Sequence, residues 1–184
     1  MFYVVGAVRG VTVLDNIMYV VCTGSSTICL YNTDTHSPLD VVINVHGMTR
    51  PCDMVVCRYD RQLYVADWKT GIWRVSVTDQ SYVLWLSTES TTDIIIVDTL
   101  SVTSRCLLVN VTSLWQPHHL RQYSMTDRPQ LLHVVELPQY VGHVLHGVET
   151  TRGTFVVGHK GTSQDKQQDA VSEVLEVLSF VITS

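Results

Sequence analysis

Four short apolar runs, MYVV (18–21), LYVA (63–66), LLVN (107–110) and TFVV (154–157), recur along the chain; their second residues, Tyr19, Tyr64, Leu108 and Phe155, are 45, 44 and 47 residues apart. A fixed period of this size constrains the fold more than any local motif. A unit so short cannot bury its own apolar face and must stack against its neighbours. Each run is followed by a polar turn and a second run: TICLYN (27–32), GIWRVS (71–76), HLRQYS (119–124) and AVSEVL (170–175). Thr33-Asp34, Thr78-Asp79 and Thr126-Asp127 come just after the second run. Asp there can accept a bond from backbone two residues on and so open a turn.

Beyond each Thr-Asp lies another run, DVVINV, YVLWLS or LLHVVEL, and ahead of each first run a shorter one, GVTV, MVVC, LSVT or HGVE. Val occurs 31 times and Ala only 3 times, which favours pleated sheet over helix. Four strands per period joined by tight turns specify an all-β chain, a β-propeller of four-stranded antiparallel blades. The units run about 6–46, 50–92, 93–138 and 140–184, as a single propeller domain or a fragment of one.

The run LYVADWKTGIWRVS resembles a blade of the six-bladed propeller group, particularly the NHL repeat. Pro51, Val55, Val56, Leu63, Tyr64, Val65, Asp67, Ile72, Arg74 and Val75 occupy that pattern. The run is also similar to YWTD blades, with Val65-Ala66 in place of their central Trp-Thr. Only the second unit matches closely. The resemblance implies a six-bladed ring, which needs about 250 to 280 residues at this period. Four units in 184 residues therefore imply a truncated chain about two blades short, prone to aggregate alone and monomeric if the ring is complete.

Asp67 and Trp68 lie in the turn between second and third strands of their unit, where the other units carry Thr23-Gly24, Val111-Thr112 and His159-Lys160. No acid recurs there, so the repeat does not encode a shared catalytic carboxylate. Trp68 and Trp115, both in such loops, are the candidate contacts for a protein partner, with Asp67 beside them; Trp73 and Trp85 are expected between blades. The alternative is a calcium-dependent lactonase or esterase, a known activity of six-bladed propellers. It would draw its hard oxygen ligands from Asp53, Asp98 and Glu149, with Asp53 and Asp98 in equivalent places 45 residues apart. In GHVLHGVE, period two sets His146 opposite His143 and Glu149, so an unbroken strand cannot converge all three on a metal.

A net charge of −5 disfavours nucleic acid, although Arg58, Arg61, Arg74 and Arg105 could form a local patch for RNA. The five cysteines, odd in number and without zinc spacing, read as reduced strand residues. No run approaches the roughly 18 apolar residues of a membrane span, and MFYVVGAVRG reads as a strand rather than a secretory signal, so a cytoplasmic location is expected. The reading that follows is a non-catalytic binding or scaffold module without a cofactor. The polar segment 158–170 is expected to project as a loop.

Overall fold

A computed structural model of the chain describes residues 6–88, 95–103, 106–113, 119–137, 144–151, 154–159 and 180–181. The first sheet holds β1 (Val8–Leu14), β2 (Ile17–Cys22), β3 (Thr27–Asn32) and β4 (Pro38–Asn44), each hydrogen-bonded to the next in sequence. The second repeats this order with β5 (Pro51–Cys57), β6 (Gln62–Asp67), β7 (Gly71–Ser76) and β8 (Tyr82–Ser87). The third holds β9 (Ile95–Val102), β10 (Cys106–Ser113), β11 (His119–Ser124) and β12 (Leu131–Glu136). The fourth has three described strands, β13 (Val144–Thr151), β14 (Thr154–His159) and β15 (Phe180–Val181). The strand paired with β14 is therefore Phe180–Val181, later than the expected AVSEVL, which lies outside the described residues together with most of the 158–170 loop.

The recurring residues share one register position. Tyr19 sits between Thr12 and Leu30, Tyr64 between Val55 and Arg74, Leu108 between Ser101 and Gln122, and Phe155 between Glu149 and Phe180. Because strand side chains alternate across a sheet, each blade presents one apolar set forward and another backward. Tyr19, Val21, Ile28 and Ile43 of the first sheet pack against Met54, Leu63, Val65 and Val75 of the second. Tyr64, Ala66 and Ile72 then face Leu107, Val109 and Val111 of the third, and Leu108 and Leu120 face Val144 and Val157 of the fourth. Burying each such side chain contributes about 1.5 to 3 kcal/mol, so the sheets are held to one another mainly by these shared cores. The chain is an all-β propeller of about four blades.

The innermost strands β1, β5, β9 and β13 pack in that order around the axis. Gly10 makes the first approach possible, since a Cβ there would lie 2.6 Å from the Met54 nitrogen. Each of these strands also carries an irregularity: at the same height in the first three, between Val8 and Gly10, between Pro51 and Asp53 and between Val97 and Thr99, and one position further along in β13, between Val144 and His146. A bulge bends its strand and re-aims a side chain, here Arg9, Cys52 and Asp98 in the first three sheets.

The turns after β3, β7 and β11 are built differently from the expectation for Thr-Asp. Asp79 does accept the Ser81 N–H at 3.1 Å. In the first turn, however, Asn32 Oδ1 takes the N–H groups of Asp34 and Thr35, both at 2.9 Å, and Asp34 itself is a donor. Ser76 and Ser124, at the equivalent strand ends, accept backbone N–H groups of Asp79 and Gln130 in the same way. Placing the short polar acceptor on the last strand residue closes the turn from its base.

The backward face of the first sheet has no preceding sheet among the described residues. Val11 stands opposite Val20 as Met54 stands opposite Val65, yet Met54 is 2% exposed and Val11 49%. Val13 and Val8 share this exposure. A row of exposed valines along one edge strand promotes association. Val11→Thr combined with Val13→Lys is expected to lower self-association, measured by light scattering across a concentration series, with the midpoint of urea unfolding essentially unchanged.

Candidate binding site

Antiparallel order sorts the connections to two ends of the propeller. One end holds the turns 23–26 and 68–70 and the inter-sheet loop 45–50; the other holds 15–16, 33–37, 58–61, 77–81 and 125–130. The first end is organised by Asp67. This last residue of β6 is fully buried, and its carboxylate accepts four backbone N–H groups: Thr49 and Arg50 on Oδ2 at 2.7 and 2.6 Å, Lys69 and Thr70 on Oδ1 at 2.9 and 3.0 Å. The loop and the turn are thereby fixed to a single group. Asp67, named with Trp68 and Trp115 as a candidate contact, is thus buried and committed to these four N–H groups.

Trp68, next in the chain, is 41% exposed, and its own N–H donates to the Arg50 carbonyl at 3.1 Å. The Arg9 guanidinium lies 5.9 Å from the centre of its ring, and Arg9 Nε donates to Thr23 Oγ1 at 2.7 Å. Arg9 is the bulged residue of β1, and without that bulge its side chain would follow the strict alternation of the strand. Trp73 and Trp85 are 8% and 5% exposed, in the cores on either side of the second sheet, as expected. Trp85 donates to the Thr126 carbonyl at 2.7 Å, a tie from the second sheet to a turn of the third. Trp115 lies outside the described residues.

Asp53 and Asp98 stand on the neighbouring innermost strands β5 and β9. Asp53 accepts Met54 N–H at 2.8 Å on one oxygen and Leu100 N–H at 2.7 Å on the other, so it joins its strand to the next sheet. Burial pushes its carboxyl above the usual range, against the pull of those two N–H groups and of His146. Asp98 accepts the Thr112 hydroxyl. The side chain of Glu149 and all of His143 lie outside the described residues, while His146 is exposed. Because β13 is bulged between Val144 and His146, simple alternation from 143 to 149 does not apply. Among the described residues no three His, Cys, Asp or Glu side chains are grouped to hold a metal.

The arginine set is divided among structural ties. Arg61 pairs with Asp15, Arg58 donates to the Val13 carbonyl at 3.3 Å, and Arg74 pairs with Asp127 at 2.9 Å. The first two hold the second sheet to the first and the third holds it to the third sheet. Arg105 lies outside the described residues. The five cysteines are free thiols. Burial, with the charges of Asp53, Asp98 and Asp67 adding to it, drives the Cys52 thiol far above its usual value, so it is not a nucleophile at neutral pH. Its Sγ–H instead donates to the Val97 carbonyl at 3.2 Å, across the second and third sheets.

Sequence reasoning passed over Arg9, because its approach to Trp68 is made by two strands of different units. It also passed over Asn32, Ser76 and Ser124, although a short polar residue closing the second run of three units was a visible signal.

No protein-family model matches the chain, and neither does any curated protein. By structure it is similar to the β-propeller domain of Cps50 (Swd1) from Myceliophteria thermophila, with a TM-score of 0.63 and 10% identity over 83% of this chain. The match takes up 50% of that domain, so the chain spans about half its length. Among the described residues no helix is long and apolar enough to cross a membrane.

Proposed function

We propose that the chain is a non-catalytic binding or scaffold module, a propeller domain or a piece of one, that offers the Trp68 end to a protein partner. One observation carries this reading: the recurring side chains are consumed by inter-sheet cores and turns, whereas Trp68 stands exposed on a turn locked by a buried carboxylate. Aromatic side chains on preorganised loops bind at low entropic cost. Asp67 acts here as a positioning residue, and Trp115 follows the first apolar run of the third unit in the sequence. The units at about 6–46, 50–92, 93–138 and 140–184 read as an arc of a six-bladed, NHL-like ring in the cytoplasm. In support of an arc, the described parts of the first and fourth sheets lack the packing that joins each of the other neighbours.

Trp68→Ala and Trp115→Ala are expected to weaken retention of a partner at least tenfold in a pull-down from lysate, with melting temperature unchanged. Equal retention by both variants would remove the reading.

A further inference from the structure

The end that carries Trp68 is also where unpaired positive charge collects. Arg9, Arg50 and Lys69 are all exposed there, and the carboxylates of the described residues make no ion pair with them. The two ion pairs of the described residues, Arg61 with Asp15 and Arg74 with Asp127, both lie at the opposite end. That end also displays Asp34, Asp60 and Asp79, with Arg58, Arg61 and Arg74 occupied and Arg128 exposed beside them. Among the described residues, three of the exposed cations that make no ion pair thus gather at this end, with Arg128 at the other. Complementary fields of this kind speed encounter and select among partners.

Two features make these cations more than scattered solvated groups. Arg50 and Lys69 receive fixed backbone positions from one carboxylate, because Asp67 Oδ2 holds the Arg50 N–H and Oδ1 holds the Lys69 N–H. Arg9 is fixed from the other side, by Thr23 and by the Trp68 ring. The Arg9 guanidinium therefore lies against the aromatic ring, and the backbones of Arg50 and Lys69 are held beside Trp68, one through its N–H and one as its chain neighbour. Bidentate arginines suit carboxylates, and Trp68 supplies an apolar surface between them.

We propose that Arg9, Arg50, Lys69 and Trp68 form the docking surface for an acidic segment of a partner protein, one in which Asp or Glu residues flank an apolar side chain. This deepens the binding-module reading and rests on it. A single-stranded nucleic acid fits less well. Such ligands use successive aromatic platforms along a basic groove, whereas the described residues offer Trp68 alone at this end, with Arg9 against its ring.

The test uses a fluorescein-labelled peptide, Glu-Asp-Glu-Leu-Asp-Glu-Glu-Asp, titrated with the whole chain in 50 mM salt and followed by anisotropy. Binding is expected to weaken as salt rises and to fall at least tenfold in the Arg50→Glu/Lys69→Glu variant. A similar loss is expected for Arg9→Glu. Arg128→Glu, an exposed reversal at the opposite end, serves as the charge-matched control for Arg9→Glu and is expected to change affinity less than twofold. Circular dichroism checks that each variant is folded. Absence of peptide binding by the wild-type chain, or an equal loss in Arg128→Glu, would overturn the proposal. So would tighter binding of a labelled oligo-uridine, which would assign the face to nucleic acid. If the peptide fails while Trp68→Ala still weakens the pull-down, the acidic specificity falls and the binding module stands.

Discussion

An Asp67→Ala variant is expected to lose about 3 to 5 kcal/mol of unfolding free energy, because four backbone N–H groups would be left without their acceptor at once. Each unsatisfied buried donor costs roughly 1 to 3 kcal/mol, and water entering from the loop side recovers part of the total. Asp67→Asn keeps one carbonyl oxygen but turns an NH2 toward two of the donors, so an intermediate loss of about 2 kcal/mol is expected. Urea denaturation measures both. A loss below 1 kcal/mol for Asp67→Ala would mean that this carboxylate does not join the 45–50 loop to the 68–70 turn. The variant should also release Arg50 and Lys69 from their fixed spacing, so partner retention falls with stability, in contrast to Trp68→Ala.

Tyr64→Ala is the second large effect, about 3 to 5 kcal/mol. The ring is fully buried between the second and third sheets, and it meets Trp85 edge to face at 5.2 Å. Trp85 in turn meets Tyr123 edge to face at 6.2 Å, so deleting the first ring opens a cavity that reaches the third sheet. The Tyr64 hydroxyl has no hydrogen-bond partner among the described residues. Tyr64→Phe should therefore lie within about 1 kcal/mol of wild type, since it removes a buried polar group that has no partner there. Comparable losses for Ala and Phe would contradict the assignment of the ring, rather than the hydroxyl, as the stabilising element. Near-UV circular dichroism of Trp85 reports the local change.

The architecture was legible because side-chain alternation and period are properties of sequence alone. Tyr19, Tyr64 and Leu108 declare a common slot by spacing, and Trp73 and Trp85 declare burial by lying within apolar runs. The site was legible only in part. Trp68 could be placed on an exposed turn, but its neighbour Arg9 belongs to another sheet and reaches it through a bulge that alternation does not foresee. Arg58, Arg61 and Arg74 look like free cations in the sequence, and only tertiary packing brings Val13, Asp15 and Asp127 against them. Asp67 was recognisable as a turn residue, yet its reach to Thr49 and Arg50 depends on an inter-sheet loop passing overhead.

The forward and backward faces described above are nearly interchangeable from one sheet to the next. A nascent first sheet can therefore accept the second sheet of another molecule as readily as its own, which makes strand-exchanged chains a hazard of folding at high concentration. Dilute refolding favours the correct neighbour, because the covalent tether then outcompetes every stranger.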